Sequence, residues 1–149
     1  MYIGSNAILM PGDIGHAVGG ALREHGQDVI FCLNGRGAHT RQLAADAGLR
    51  DVQTLRAVVE QSDLILSILP PAAALGLARD VADHMTATGK KPVYADCNAI
   101  APQTAKAVGE AITAAGANFV DAGIIGMAPG KGAGPRFYVS GPDQAAMLQ

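Results

Sequence analysis

Ala7-Ile8-Leu9-Met10-Pro11-Gly12-Asp13-Ile14-Gly15 is the stretch that decides how this chain reads. A short apolar run feeds a glycine turn, and an amphipathic segment starts directly after it. Strand, turn and helix in that order aim backbone N–H groups and the positive end of a helix dipole at one point, where a phosphate is stabilised. A nucleotide is therefore the first ligand to consider. The stretch fits the pattern G-x-G-x-x-G at its second and third glycines, Gly12 and Gly15, and has Met10 at the first. The second glycine lets a pyrophosphate approach the backbone, and the third lets the helix pack on the strand. The tight turn of the missing first glycine falls to Met10-Pro11, where Pro11 fixes one φ angle. Alone, the stretch fits an ordinary βα turn as well as it fits phosphate binding.

Outward from that turn, strand-like and helix-like segments alternate. A strand over Asn6–Met10 leads to a helix over Asp13–His25, with Ile14, Val18 and Leu22 on one face, Asp13 available as a cap and Gly26 as the stop. Strands follow at Asp28–Leu33, Asp51–Gln53, Asp63–Leu69, Pro92–Asp96 and Asn118–Asp121, with Phe137–Ser140 a candidate seventh. Helices are expected at Ala38–Ala47, Leu55–Gln61, Ala72–Ala87 and from Pro102 to just before Gly116. Val29-Ile30-Phe31-Cys32-Leu33 is apolar without alternation, as in a sheet buried on both faces. The pattern predicts an α/β fold: a doubly wound parallel sheet with right-handed crossovers, three layers deep, in a single domain. Gly126–Pro135 reads as a mobile substrate loop or as a plain connector, the connector being the commoner case.

Composition narrows the function classes. The chain has 149 residues, 49% hydrophobic and 16% charged, with a formal net charge of -2. Nucleic-acid binders are usually basic, and with no Trp and 4% aromatic residues a base-stacking platform is not expected. Cys32 and Cys97 match no metal spacing and read as buried free thiols in a reducing cytosol. Met1-Tyr2-Ile3-Gly4 is unlike a signal peptide, and the apolar run Leu64–Leu69 is too short to span a membrane. A cytoplasmic protein with no membrane partner and no metal is the expectation.

In doubly wound sheets ligands gather at the carboxyl ends of the strands. Read there, the sequence supplies Gly12-Asp13-Ile14-Gly15, Asn34-Gly35-Arg36, Pro70-Pro71, Asn98 and Gly123 to Gly126. An NAD site places a carboxylate at the end of the second strand, on the ribose 2′-OH. Here that strand ends Cys32-Leu33-Asn34-Gly35-Arg36, with Thr40 and Arg41 at the next helix start and no acid. A guanidinium fork suits the 2′-phosphate of NADP, so NADP is preferred over NAD.

With the first turn, Asn34-Gly35-Arg36, Ile68-Leu69-Pro70-Pro71 and Asp96-Cys97-Asn98-Ala99-Ile100-Ala101-Pro102 together, the chain resembles the NADP-binding Rossmann domain of the 6-phosphogluconate dehydrogenase and β-hydroxyacid dehydrogenase superfamily. Within it, the chain is most similar to the subgroup carrying a 6-phosphogluconate-dehydrogenase-like C-terminal domain of unassigned function. The resemblance covers Ile3–Gly141. It implies that residues 1–141 are the NADP-binding domain and that 142–149 begin a linker helix to an all-helical second domain. It implies that Gly12, Asp13, Ile14 and Gly15 hold the pyrophosphate, and that Asn34, Gly35, Arg36 and Thr40 surround the adenosine ribose and its 2′-phosphate. Leu69 and Pro70 would line the cleft. Asn98 would lie near the nicotinamide ribose; on its own chemistry it is equally an Asx-turn former or the cap of the following helix. The implied partners are a small-molecule substrate and, with the second domain present, further copies of the chain.

Two departures from the family pattern stand out. The family's substrate segment Asp-Ala-Pro-Val-Ser-Gly-Gly is here Asp121-Ala122-Gly123-Ile124-Ile125-Gly126-Met127, with Ile125 at the serine position. The family's catalytic lysine belongs to the second domain and has no counterpart here, so no catalytic residue is assigned. Lys131, Lys90, Lys91 and Lys106 are not promoted, the last three being placed at the sheet's periphery, and His16, His25, His39 and His84 form no acid–base constellation. Asp96 reads as a structural hydrogen-bonding hub rather than a base. An exposed apolar face where a second domain packs would drive self-association. Three readings follow: the nucleotide half of an NADP-dependent dehydrogenase acting on a small hydroxy acid or related alcohol, without turnover by itself; a non-catalytic NADP-binding or sensing module; or a Rossmann-like domain that binds no nucleotide.

Overall fold

In a computed structural model, residues 5–9, 13–24, 26–32, 37–46, 48–125 and 136–140 are described; the side chains of 13–17, 124–125 and 136–140 lie outside that description. The strands are β1 (Ser5–Leu9), β2 (Asp28–Phe31), β3 (Arg50–Asp51), β4 (Leu64–Ser67), β5 (Val93–Asp96), β6 (Phe119–Ile125) and β7 (Arg136–Ser140). The helices are α1 (Asp13–Glu24), α2 (Ala38–Asp46), α3 (Leu55–Gln61), α4 (Ala74–Thr88) and α5 (Pro102–Ala114). The sheet order is β3-β2-β1-β4-β5-β6-β7. β1 to β6 are parallel, joined in register through pairs such as Ala7↔Ile30, Ala7↔Ile65, Ile65↔Tyr94 and Tyr94↔Phe119. This is the Rossmann-type α/β arrangement the alternating pattern predicts.

The layers follow from which residues each strand points to either side. Ala7, Leu9, Ile30, Ile65 and Tyr94 pack with Val58 and Val59 of α3, Val81 and Met85 of α4, and Val108 and Ile112 of α5. Ile8, Val29, Phe31, Leu64 and Leu66 pack on the opposite face with Val18 of α1 and Ala44 of α2. Each central strand is thus apolar on both sides, which is why its sequence shows no alternation. Gly26 and Gly48, after α1 and α2, take φ of 80° and 70°, the left-handed conformation that lets a helix stop and turn back to the sheet.

The strands begin at one edge in a polar network. Arg50 Nη2 donates to Asp28 Oδ2 at 2.9 Å, Ser5 Oγ donates to the same oxygen at 3.0 Å, and the Ser5 N–H donates to Asp63 Oδ2 at 3.1 Å. The Arg50 guanidinium holds the Asp28 carboxyl below its usual range.

Four expectations change. The third strand is Arg50–Asp51 rather than Asp51–Gln53, because Gln53 turns out of the strand at φ 72°. β6 does not end at Asp121 but runs on to Ile125, because β7 pairs with it along Gly123↔Tyr138, Ile124↔Phe137 and Ile125↔Arg136. β7 is antiparallel, so the sheet is not parallel throughout. Only residues 126–135 separate these strands, fewer than the dozen or more that a parallel crossover needs, whereas an antiparallel return needs only a short connection. The expected helix from Ala72 starts as a 3-10 turn at Pro71–Ala73 and becomes α4 only at Ala74. The expected linker helix from 142 lies outside the described residues.

Candidate functional site

The strand order reverses between β1 and β4: the chain moves outward from β1 through β2 to β3, then returns to β4 on the other side of β1. α1 and α4, which follow these strands, pack on opposite faces of the sheet, and in sheets of this order that is where a ligand crevice forms over the carboxyl ends. α1 begins at Asp13, soon after β1 ends at Leu9, so its N-terminus faces the crevice with its dipole. The side chains of Asp13, Ile14 and Gly15 lie outside the described set, as do Gly12, Asn34, Gly35 and Arg36 altogether. Asp13 stands inside the helix as its first residue.

Thr40 is placed in the first turn of α2, half-buried, and Arg41 follows it, exposed. At this end of the sheet Arg41, Asp51, Gln53 and Thr54 line an open cleft of about 430 Å³. Thr54 caps α3, its hydroxyl accepting the Ala57 N–H at 3.1 Å. Asp51 Oδ1 accepts the Gln53 N–H at 2.8 Å, which helps hold Gln53 at φ 72°. The Gln53 carbonyl in turn accepts the Cys32 thiol at 3.1 Å. Cys32 is half-buried rather than buried, because β2 ends at Phe31 and Cys32 follows it beyond the strand's carboxyl end. Cys97 is buried as expected, and burial pushes its thiol up to about 12.

Leu69 is half-buried and Pro70 exposed, both on the segment that leaves β4. Asn98 leaves β5 beside them. Its Oδ1 accepts the Leu69 N–H at 2.8 Å, and its Nδ2 donates to Ser67 Oγ at 3.2 Å. The Asn98 N–H donates to Asp96 Oδ1 at 2.9 Å. The Asx turn belongs to Asp96, and α5 is entered through Ala101 with no side-chain cap. Asn98 therefore neither forms that turn nor caps that helix; it links two strand ends. Nothing in the sequence flags this bond, since its partners are 29 and 31 residues away.

Beneath Asn98, register places Ser67, Asp96 and Asp121 in one row across β4, β5 and β6. Ser67 and Asp96 are fully buried. Asp96 Oδ2 and the Tyr94 hydroxyl bond to no described residue; burial raises the Tyr94 phenol, and the nearby Ser67 hydroxyl offsets part of that rise. Burial raises the Asp96 carboxyl above its ordinary value, and the charge of Asp121 adds to the effect. Asp96 serves as the expected hub through one oxygen only. Among the described residues no group of three or more His, Cys, Asp or Glu is placed to hold a metal.

The sequence pattern described as the NAD binding domain of 6-phosphogluconate dehydrogenase matches residues 11–148. The chain belongs to this family. Its members bind a nicotinamide dinucleotide through this domain, which agrees with the crevice and its helix N-terminus. Among solved structures, the conserved protein MTH1747 of unknown function, described as structurally similar to 3-hydroxyacid dehydrogenases, has 27% identity and a TM-score of 0.83, covering 97% of this chain and 52% of its own. The 3-hydroxyisobutyrate dehydrogenase of Mycobacterium tuberculosis, solved with L-serine, shares the fold at a TM-score of 0.80 and 21% identity, covering 99% of this chain and 49% of its own. An uncharacterized 28.5 kDa protein from the 7S RNA 5′ region of Methanothermus fervidus is 28% identical over 99 residues, 66% of this chain and 37% of its own. The chain thus spans about half, or less, of the length of the proteins it matches. No described helix is long and apolar enough to cross a membrane.

Proposed function

We propose that this chain is the cofactor-binding part of an oxidoreductase that transfers a hydride between NADP(H) and a small hydroxy acid or related alcohol. The observation that carries the reading is the reversal of strand order between β1 and β4, with α1 starting soon after the carboxyl end of β1, in a chain of the NAD-binding family. When bound, the nicotinamide supplies the hydride acceptor or donor. The residues suit such a group: a helix N-terminus for the pyrophosphate, and a cleft with a guanidinium, a hydroxyl and a carboxylate for a ribose and its substituents. In this reading Gly12 to Gly15 receive the pyrophosphate. Asn34, Gly35, Arg36 and Thr40 surround the adenosine ribose, with Arg41 beside them, and Leu69 and Pro70 form the opposite wall. Arg41 is the basic residue in the described cleft; Asp51 shares it and suits ribose hydroxyls better than phosphate. The preference for NADP therefore rests on Arg36 and Arg41 together and on the missing carboxylate after β2. The reading extends to a small-molecule substrate and to self-association of the whole protein.

Calorimetric titration with NADPH and, separately, NADH tests this. A charge-assisted bond to the 2′-phosphate contributes roughly 1.5–3 kcal/mol, so NADPH should bind at least about tenfold more tightly than NADH. Equal affinities would remove the NADP preference and leave the domain assignment. A folded sample that binds neither would leave a Rossmann domain without its ligand.

A further inference from the structure

The β4 and β5 backbones part company just where the crevice begins. Up to that point the ladder is regular: the Cys97 N–H donates to the Ser67 carbonyl at 3.0 Å. A parallel ladder would continue with the Leu69 N–H on the Cys97 carbonyl. Instead the Leu69 N–H turns to Asn98 Oδ1 at 2.8 Å. The carboxamide adds one more rung with a side chain where the main chains have diverged. Its orientation is fixed by both ends, because an oxygen must face Leu69 and the amide nitrogen then faces Ser67 Oγ. Ser67 is fully buried and Asn98 half-buried, so water competes weakly for these bonds. Asp96 Oδ1 completes the frame by holding the Asn98 N–H.

We infer that Asn98 and Ser67 are positioning residues: they splint the segments leaving β4 and β5, so that the Leu69–Pro70 backbone stands as a fixed wall of the cofactor crevice. This rests on the reading that a dinucleotide occupies that crevice. It differs from a direct contact between Asn98 and the nicotinamide ribose, because the carboxamide oxygen and one amide proton are already committed inside the protein. A cofactor that met a loose wall would have to order it on binding, and its affinity would fall. Ser67 is fully buried and does not reach a cofactor itself; its hydroxyl connects to the crevice wall through the bond from Asn98.

The test uses the full chain with NADPH as the probe. In cofactor-free protein, amide hydrogen exchange at Leu69 is measured for wild type, Asn98→Ala and Ser67→Ala; NADPH affinity is then measured for these and for the double variant. Asn98→Ala should lower Leu69 protection at least about tenfold and weaken NADPH binding roughly five- to tenfold. Ser67→Ala, a near-isosteric change that keeps the fold, should weaken binding about threefold alone and add nothing in the Asn98→Ala background. Unchanged Leu69 protection with weakened binding would overturn the inference in favour of direct contact. Unchanged affinity in Ser67→Ala, or losses that add in the double variant, would also overturn it. A wild-type chain that binds no dinucleotide would refute the function reading itself, and is told apart because the variants then have no affinity to lose.

Discussion

Tyr94→Phe should make this protein more stable. Tyr94 is fully buried at the centre of the sheet, and its ring stacks on Phe119 with centroids 6.5 Å apart and planes at 23°. Phenylalanine keeps that contact. What it removes is a hydroxyl that bonds to no described residue. Burying a hydroxyl without a hydrogen bond costs about 1–3 kcal/mol in proteins. Against this, deleting one oxygen leaves a space of roughly 10–15 Å³, a loss of about 0.3 kcal/mol at the usual cavity coefficient. The balance is a gain of about 1 kcal/mol or somewhat more. For a chain of this size that raises Tm by about 2–4 °C. Urea unfolding followed by circular dichroism should show a higher midpoint with an unchanged slope. A loss of about 1 kcal/mol or more would refute the reasoning, because it would mean that the hydroxyl has a partner, such as Ser67 or a buried water, whose bond was stabilising.

Other perturbations separate the supports of the fold. Lys91 Nζ donates to the carbonyls of Ala115, closing α5, and of Met85, near the end of α4 at 3.5 Å. Lys91→Met keeps the stem but removes a cation from two helix ends, and should cost about 0.5–1.5 kcal/mol in a denaturation midpoint, less at high salt. Gly109→Ala would set a methyl 2.9 Å from Phe119 Cδ1; overpacking of roughly 1–3 kcal/mol should outweigh the ~0.5–1 kcal/mol helix preference for alanine, giving a lower midpoint. Asp96 and Asp28 should give opposite pH dependences in a series of unfolding curves. The Asp96 carboxyl is raised on folding, so its contribution is present below the ordinary aspartate range and is lost as pH rises through its folded value; Asp96→Asn should flatten that decline. The Asp28 carboxyl is lowered, so its contribution is present above the ordinary range and is lost as pH falls through its folded value; Asp28→Asn should remove that acid-side loss.

Much of the architecture was legible because short-range chemistry dictates it. Gly26 and Gly48, after two helices, set boundaries that the structure keeps. The continuous apolar strands announced a sheet covered on both faces. The extension of β6 was not legible, since Gly123 reads as a loop until β7 lies beside it. Lys91 looked peripheral in sequence, yet it joins the ends of two helices that only the fold brings together. Asn98 was picked out as a site residue, but its bonds to Leu69 and Ser67 depend on how two parallel strands diverge, which no local pattern records.

The central claim is that a nicotinamide dinucleotide lies across the carboxyl ends of β1, β2, β4 and β5. Amide chemical-shift mapping of the full chain during NADPH titration tests it most directly. The account predicts shifts gathered at Asp13, Thr40, Arg41, Leu69 and Asn98, with Ser5, Asp63 and Lys91 at the opposite edge unmoved. Shifts centred on that opposite edge, or none at saturating NADPH in a folded sample, would contradict it.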